Sequence, residues 1–381
     1  MKHSQTLPLA FCIAALNFGV ASAQQSSTVP TYELERLGEN YDFSSKSLDI
    51  NDNGDVIIHV SDGARDVRKQ IFVTAAGETD TLIEDGYSKG PFIIKILEDE
   101  EGFIMTEKYY NGATSVIDFE ENIRGEAELC PSLKNYDKGS YKFYLSDNAK
   151  HAYLEVYGDR FIESFISCAS GKAIKPSKTD SPLRKFSIKS VANDGTVFLS
   201  NSSDSKMWAH PMWPDKTEGV KDGNLKSVSP NATCFLYSPD AGENKGKAIR
   251  KCGGEATILP SLPNIPNAFS FVKVNDRGDV VGSLERDMQS LKDIKSDLPK
   301  EVIELHEKAK SDGEEDYTPL HMRFIYTFDN HLVALPRLEA EKSYLDQYSI
   351  TAINSRGDMS GVWEGKSNRL KKEAIVFRRK D

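Results

Sequence analysis

Short apolar, β-branched runs of about four to six residues alternate with polar turn clusters along this chain. The clearest runs flank a recurring turn phrase: LDINDNGDVII (48–58), VKVNDRGDVVG (272–282) and TAINSRGDMSG (351–361). Weaker copies read SVANDGTVFL (190–199), YLSDNAKHAYL (144–154) and IKILEDEEGFIM (94–105). Asn and Asp side chains bond backbone two residues on, and Gly accepts a positive φ, so each phrase predicts a tight turn between two strands. Self-similarity over tens of residues is the mark of repeat architectures. Taking Gly54, Gly102, Ala149 (in the glycine slot), Gly195, Gly278 and Gly357 as origins, the steps are 48, 47, 46, 83 and 79 residues.

Unit one predicts four strands: A at 47–50, B at 55–60, C at 69–74 and D at 79–83. Strand C recurs as ATSVIDF, ESFISC, ATCFLYS, MRFIYTF and EAIVFRR, and strand D as ATILPSLP and LVALPRLE. Four strands in about 47 residues is the size of a propeller blade. The chain ends on a strand C, and TYELERLG (31–38) resembles a strand D. The expectation is an all-β fold: a single β-propeller of about six four-stranded blades over residues 24–381. The N-terminal strand pairs in the last blade and closes the ring, which removes the exposed edges.

The two long steps predict insertions between strands B and C, at about 201–231 in unit four and 285–317 in unit five. Both fall on the face opposite the N-D-x-G turns, and long loops in compact domains commonly serve function. In the first, Trp208, His210 and Trp213 cluster beside two prolines and are the candidate partner-binding residues, able to stack on a sugar or anchor a protein. In the second, Leu291, Ile294, Leu298, Val302, Leu305 and Ala309 follow helical spacing, which predicts a helix near 287–312, capped at Ser296 or Asp297 with Pro299 in its first turn. That helix is a lid, a docking element, or packing against the propeller rim.

Residues 1–23 read as a secretory signal peptide, with Lys2 and His3, an apolar run at 7–20 and an Ala21-Ser22-Ala23 cleavage site. This predicts a periplasmic or secreted protein with no transmembrane segment after cleavage. Four cysteines then remain, an even number that suggests two disulfides in an exported chain. Cys234 with Cys252 would pin the loop between strands C and D of unit four, and Cys130 with Cys168 would join units two and three. The net charge of −10 argues against nucleic acid or an anionic lipid surface as partner. A monomer with a protein or glycan partner is expected.

P-loop, dinucleotide-fingerprint, H-E-x-x-H and G-x-S-x-G motifs are missing from the sequence, and its histidines are dispersed. Asp49, Asn51, Asn53 and Asp55 alternate like oxygen ligands of a calcium loop, but Val60 stands where an acidic closing ligand belongs. Sister turns place Lys273 and Arg277, or Ala352 and Arg356, where ligands would be. No catalytic residue, metal or cofactor is therefore assigned.

The unit resembles the HAF repeat of bacterial extracellular proteins. The I-N-x-x-G-x-V-V-G part is carried by 274–282 and 353–361, the aromatic strand by 234–237 and 324–326, and the D-L-G-like strand by 34–38. The resemblance implies an exported propeller-like fold without a defined activity. Function is accordingly expected to be non-enzymatic binding through the insertion-bearing face. The alternatives are a polysaccharide-active hydrolase or lyase, and a periplasmic inhibitor or immunity-type partner.

Overall fold

The structure is a computed structural model. It describes residues 29–40, 44–62, 67–85, 91–97, 102–107, 114–118, 123–137, 140–158, 162–174, 187–200, 207–210, 218–220, 223–239, 242–261, 269–289, 300–337, 347–364 and 372–380. The expected signal peptide, Trp213 and the helical positions Leu291, Ile294 and Leu298 lie outside the described residues, as do the capping candidates Ser296, Asp297 and Pro299.

Among the described residues, seven four-stranded antiparallel sheets form a β-propeller. Blade one runs Ser44–Ile50, Val56–Asp62, Val67–Val73 and Thr79–Asp85, as strands A to D. Blades two and three start at strands Pro91–Ile96 and Tyr141–Leu145. Blades four, five and six start at Ser187–Val191, Gly223–Val228 and Phe269–Val274. Blade seven takes A to C from the C-terminus, Gln347–Ile353, Met359–Glu364 and Lys372–Lys380. Its fourth strand is Thr31–Arg36, which pairs antiparallel with Lys372–Lys380 from Thr31↔Lys380 to Arg36↔Ile375. The expected closure by the N-terminal strand is therefore present.

The blade count is seven, one more than the spacing suggests. The supposed insertion at 201–231 holds strands C and D of blade four, Met207–His210 and Glu218–Val220, and the innermost strand of blade five. The overlooked turn is Ser229-Pro230-Asn231-Ala232, where Ala232 occupies the glycine slot at φ 56°. Ala149 does the same at φ 55° in blade three. A short L-residue can enter this left-handed region at a modest cost, and so hide a repeat from a glycine count.

The insertion of unit five is real. Strands Val280–Asp287 and Pro319–Tyr326 are neighbours, and the helix Lys300–Ser311 lies in the segment between them. Val302, Leu305 and Ala309 are buried against Met288, Leu320 and Met322 of blade six. The helix packs on the rim by the face that its spacing predicts.

Central strands carry continuous apolar runs because both faces of each blade are covered. Val56, Ile58 and Val60 pack with Ala374 and Val376 of blade seven, whereas Ile57 packs with Ile93 and Phe103 of blade two. Side chains alternate across a strand, so one run feeds two cores.

Both disulfides form as expected, Cys130–Cys168 and Cys234–Cys252. Cys130 sits between the short helices Glu126–Leu129 and Pro131–Asn135, in the connection from blade two to blade three. Cys168 follows strand C of blade three. Cys234 and Cys252 face each other across strands B and C of blade five, so this bond joins two strands and pins no C–D loop.

Candidate functional site

The recurring turn is a structural clasp. In blades one, six and seven the first Asn (Asn51, Asn275, Asn354) accepts a hydrogen bond at Oδ1 from the backbone N–H of the Asp four residues on, at 2.8 Å each. That Asp then accepts at Oδ1 from the end of strand C or the turn after it: Ala75, Phe328 or Arg379 N–H at 2.9–3.0 Å. The turns also bond to one another. Asn275 Nδ2 donates to the Asn354 carbonyl at 2.9 Å, and Asn354 Nδ2 donates to the Asn51 carbonyl at 2.8 Å. Asn148 Nδ2 donates to the Asn193 carbonyl at 3.1 Å, Asn193 N–H to Pro230 O at 2.7 Å, and Asn231 N–H to Asp276 Oδ1 at 2.9 Å. Among the described residues, five of the seams are thus closed turn to turn. Of the oxygens that sequence spacing offered to calcium, those of Asn51 and Asp55 are committed here, and no cluster of three or more metal-ligating side chains occurs among the described residues.

Two features stand out against this clasp. The first is an open cleft of about 650 Å³ at the seam of blades seven and one, on the turn face. Arg356 and Asn53 come from the two A–B turns, Ala75 from a C–D turn, and Glu33, Glu35, Arg378, Arg379 and Lys380 from the closing strand pair. Arg378 donates to Glu35 at 3.2 Å and to the Gly54 carbonyl at 2.6 Å. Arg379 reaches Asp279 at 3.3 Å and Lys380 reaches Glu33 at 2.6 Å. Arg356 pairs with Asp358 at 2.8 Å while 53% of its side chain stays exposed, and Lys380 is 56% exposed. Gly54, at φ 89°, is required here: a Cβ would stand 2.5 Å from Arg356 and 2.8 Å from Arg378.

The second feature is the central channel. In six blades the pairing of strands A and B shifts register at one place, just before Asp49, Lys95, Ser190, Ser227, Lys273 and Ala352. A bulge re-aims the residue that follows it. Asp49 Oδ2 accepts from Ile96 N–H at 2.9 Å and Ser227 Oγ from Val274 N–H at 3.3 Å, each on the innermost strand of the next blade. Lys95 forms an ion pair with Asp147 of blade three. Lys273, from blade six, feels Lys95, Asp49 and Asp147 of blades two, one and three. Burial pushes the Asp49 carboxyl up, and the Lys95 charge opposes that shift. Burial first, then Lys95, pushes the Lys273 ammonium down.

Of the sequence candidates, Trp208 and His210 lie in strand C of blade four, paired with Leu199 and Val197, and not in a loop. That strand belongs to blade four, whereas the cleft lies at the seam of blades seven and one. Sequence reasoning recorded Lys273 and Arg356 only as substitutions that spoil a calcium loop. Lys273 stands at the repeat position of Asp49, and Arg356 at that of Asn53 and Arg277.

Neither a family model nor a curated relative matches the sequence. Solved structures share the architecture. The β-propeller domain of the Trilobed protease from Pyrococcus furiosus, described as having an open velcro topology, is 10% identical over 89% of this chain and 95% of its own, with TM-score 0.50. A streptogramin B lyase is 10% identical over 92% of this chain and 98% of its own, with TM-score 0.46. Virginiamycin B lyase from Staphylococcus aureus, as a catalytically inactive variant with quinupristin, is 11% identical over 91% and 99%, with TM-score 0.46. At such identities the likeness concerns the fold alone. Unlike the open topology of the first, the ring here is closed by Thr31–Arg36.

Proposed function

We propose that this protein is an exported, non-enzymatic propeller that binds an acidic glycan in the cleft at the seam of blades seven and one. The carrying observation is the lining of that cleft, in which exposed Arg356 and Lys380 stand over Arg378, Arg379, Glu33 and Glu35. Guanidinium groups take carboxylates in bidentate fashion, and carboxylates accept from sugar hydroxyls, so a mixed lining suits a uronate-bearing chain. Protein-binding hot spots instead favour aromatic and apolar anchors, and this lining offers only Leu34 and Ala75. The two disulfides are consistent with an oxidising compartment, and no helix among the described residues is long and apolar enough to cross a membrane.

The insertion-bearing face supports binding less well than the sequence suggested. One of its two insertions is blade structure, and the helix Lys300–Ser311 buries its apolar face on blade six. The test is calorimetric titration with oligouronates and with the matched carboxyl-reduced, neutral oligosaccharides. Binding of the acidic series alone, weakened by added salt, supports the reading. Equal binding of both series, or of neither, overturns it.

A further inference from the structure

We propose that a second cleft, of about 450 Å³ at the seam of blades five and six, binds a small organic ammonium on a lining of the Glu255 and Asp329 carboxylates and the Phe328 ring. This cleft occupies the same place in the repeat as the one at the seam of blades seven and one. Arg250, in strand C of blade five, donates to the Gly278 carbonyl in the A–B turn of blade six at 2.8 Å, as Arg378 of blade seven does to Gly54 of blade one at 2.6 Å. One wall is strands C and D of blade five, where Cys252 faces Glu255. The other is the turn after strand C of blade six, closed by Asn330 N–H on the Thr327 carbonyl at 3.0 Å. A Cβ on Gly278 would stand 2.9 Å from both Cys252 Sγ and Phe328, so both walls close on that turn. The lining is what differs: exposed Glu255, Phe328 and Asp329 stand here, where the first cleft has Arg356 and Lys380.

The charges select a cation. Arg250 is 2% exposed, and its two terminal nitrogens are committed to four oxygens at 2.8–3.1 Å: the carbonyls of Gly278, Thr327 and Phe328, and Asn330 Oδ1. Glu255 and Asp329 have no side-chain hydrogen bond or ion pair to any described residue. Two uncommitted carboxylates against one buried, fully engaged guanidinium leave the cleft negative. Phe328 is 51% exposed although Arg250 stands 5.3 Å from its ring centroid, so ring surface remains open to a ligand. An aromatic face attracts an ammonium, and carboxylates accept its hydrogens in charge-assisted bonds. An oxyanion would meet two like charges, and a neutral molecule would leave both carboxylates without a counter-charge.

The experiment uses the full chain and ligand-observed NMR titration with glucosamine and with butylammonium, each beside a neutral counterpart, N-acetylglucosamine or butanol. The expected result is binding of an ammonium probe at least tenfold tighter than its neutral counterpart, weakened by added sodium chloride. Binding of glucosamine alone, butylammonium alone or both supports the proposal and shows whether sugar hydroxyls contribute. In Glu255→Gln/Asp329→Asn the ammonium affinity falls tenfold or more, and in Phe328→Leu severalfold. All three side chains are exposed, so both variants are expected to unfold as the parent does. Equal binding of charged and neutral probes, no binding of either ammonium, or parental affinity in both variants overturns the proposal. Arg356→Ala/Lys380→Ala is expected to keep the parental ammonium affinity, and its loss there would also overturn the proposal. The two cleft-five-six variants are expected to bind oligouronates as the parent does, so failure here is distinguishable from failure of the glycan reading.

Discussion

Replacing Asn354 by Ala tests whether the turn phrase is a clasp. Asn354 is 2% exposed and connects blade seven to blade one, the seam at which the two chain ends meet. Its Oδ1 accepts from Asp358 N–H at 2.8 Å, and its Nδ2 donates to Asn51 O at 2.8 Å and to Asp358 Oδ2 at 3.1 Å. The Asn51 carbonyl keeps a second donor, Gly54 N–H at 3.0 Å, and so is not orphaned. The Asp358 N–H is left buried without its partner, which costs about 1–3 kcal/mol. Two further bonds, one of them to a carboxylate, each contribute about 1 kcal/mol net. The expected loss is about 3 kcal/mol. Reversible urea unfolding followed by tryptophan fluorescence measures it, with an unchanged slope showing that the unfolded state is the same. Asp52→Ala is the control at the same seam. Its carboxylate accepts from Ser355 N–H at 2.7 Å in an exposed setting, for an expected loss under about 1 kcal/mol. A loss below about 1 kcal/mol for Asn354→Ala, or one equal to the control, would refute the clasp.

Other perturbations test separate parts of the account. Ala232→Gly should stabilise by up to about 1 kcal/mol, because φ is 56° there, whereas Gly54→Ala should destabilise by more, having both a φ of 89° and the two arginines to meet; paired denaturation curves decide. Asp49→Asn should stabilise at neutral pH. A carboxyl raised in the folded state supports folding at acid pH and loses that support as pH rises through its folded value, so the advantage of Asn should shrink toward zero as pH falls below about 4. Reduction of Cys234–Cys252 should loosen blade five, seen as faster amide exchange in Cys234–Pro239 and Ile249–Cys252 but not in blade one.

The periodic turn makes the propeller, its four-stranded blades and its closure legible in the sequence. Closure followed from a chain that ends on strand C and begins on strand D. The blade count did not follow, because Pro230-Asn231-Ala232 makes the same turn without the glycine that marks it elsewhere. The disulfide partners were readable, but missing one blade shifted Cys234 and Cys252 by a strand each. Arg378 and Glu35 lie 343 residues apart, so the cleft depends on a closure whose side-chain geometry no local pattern carries.

The central claim is that the seam of blades seven and one is the binding place, and one comparison addresses it directly. An oligouronate is titrated into the parent, into Arg356→Ala/Lys380→Ala, and into Trp208→Ala/His210→Ala, with each variant checked for parental unfolding behaviour. The account predicts roughly a tenfold or greater loss of affinity in the first variant, as for two lost charge-assisted contacts, and parental affinity in the second. Parental affinity in the first together with loss in the second would contradict it and return function to blade four.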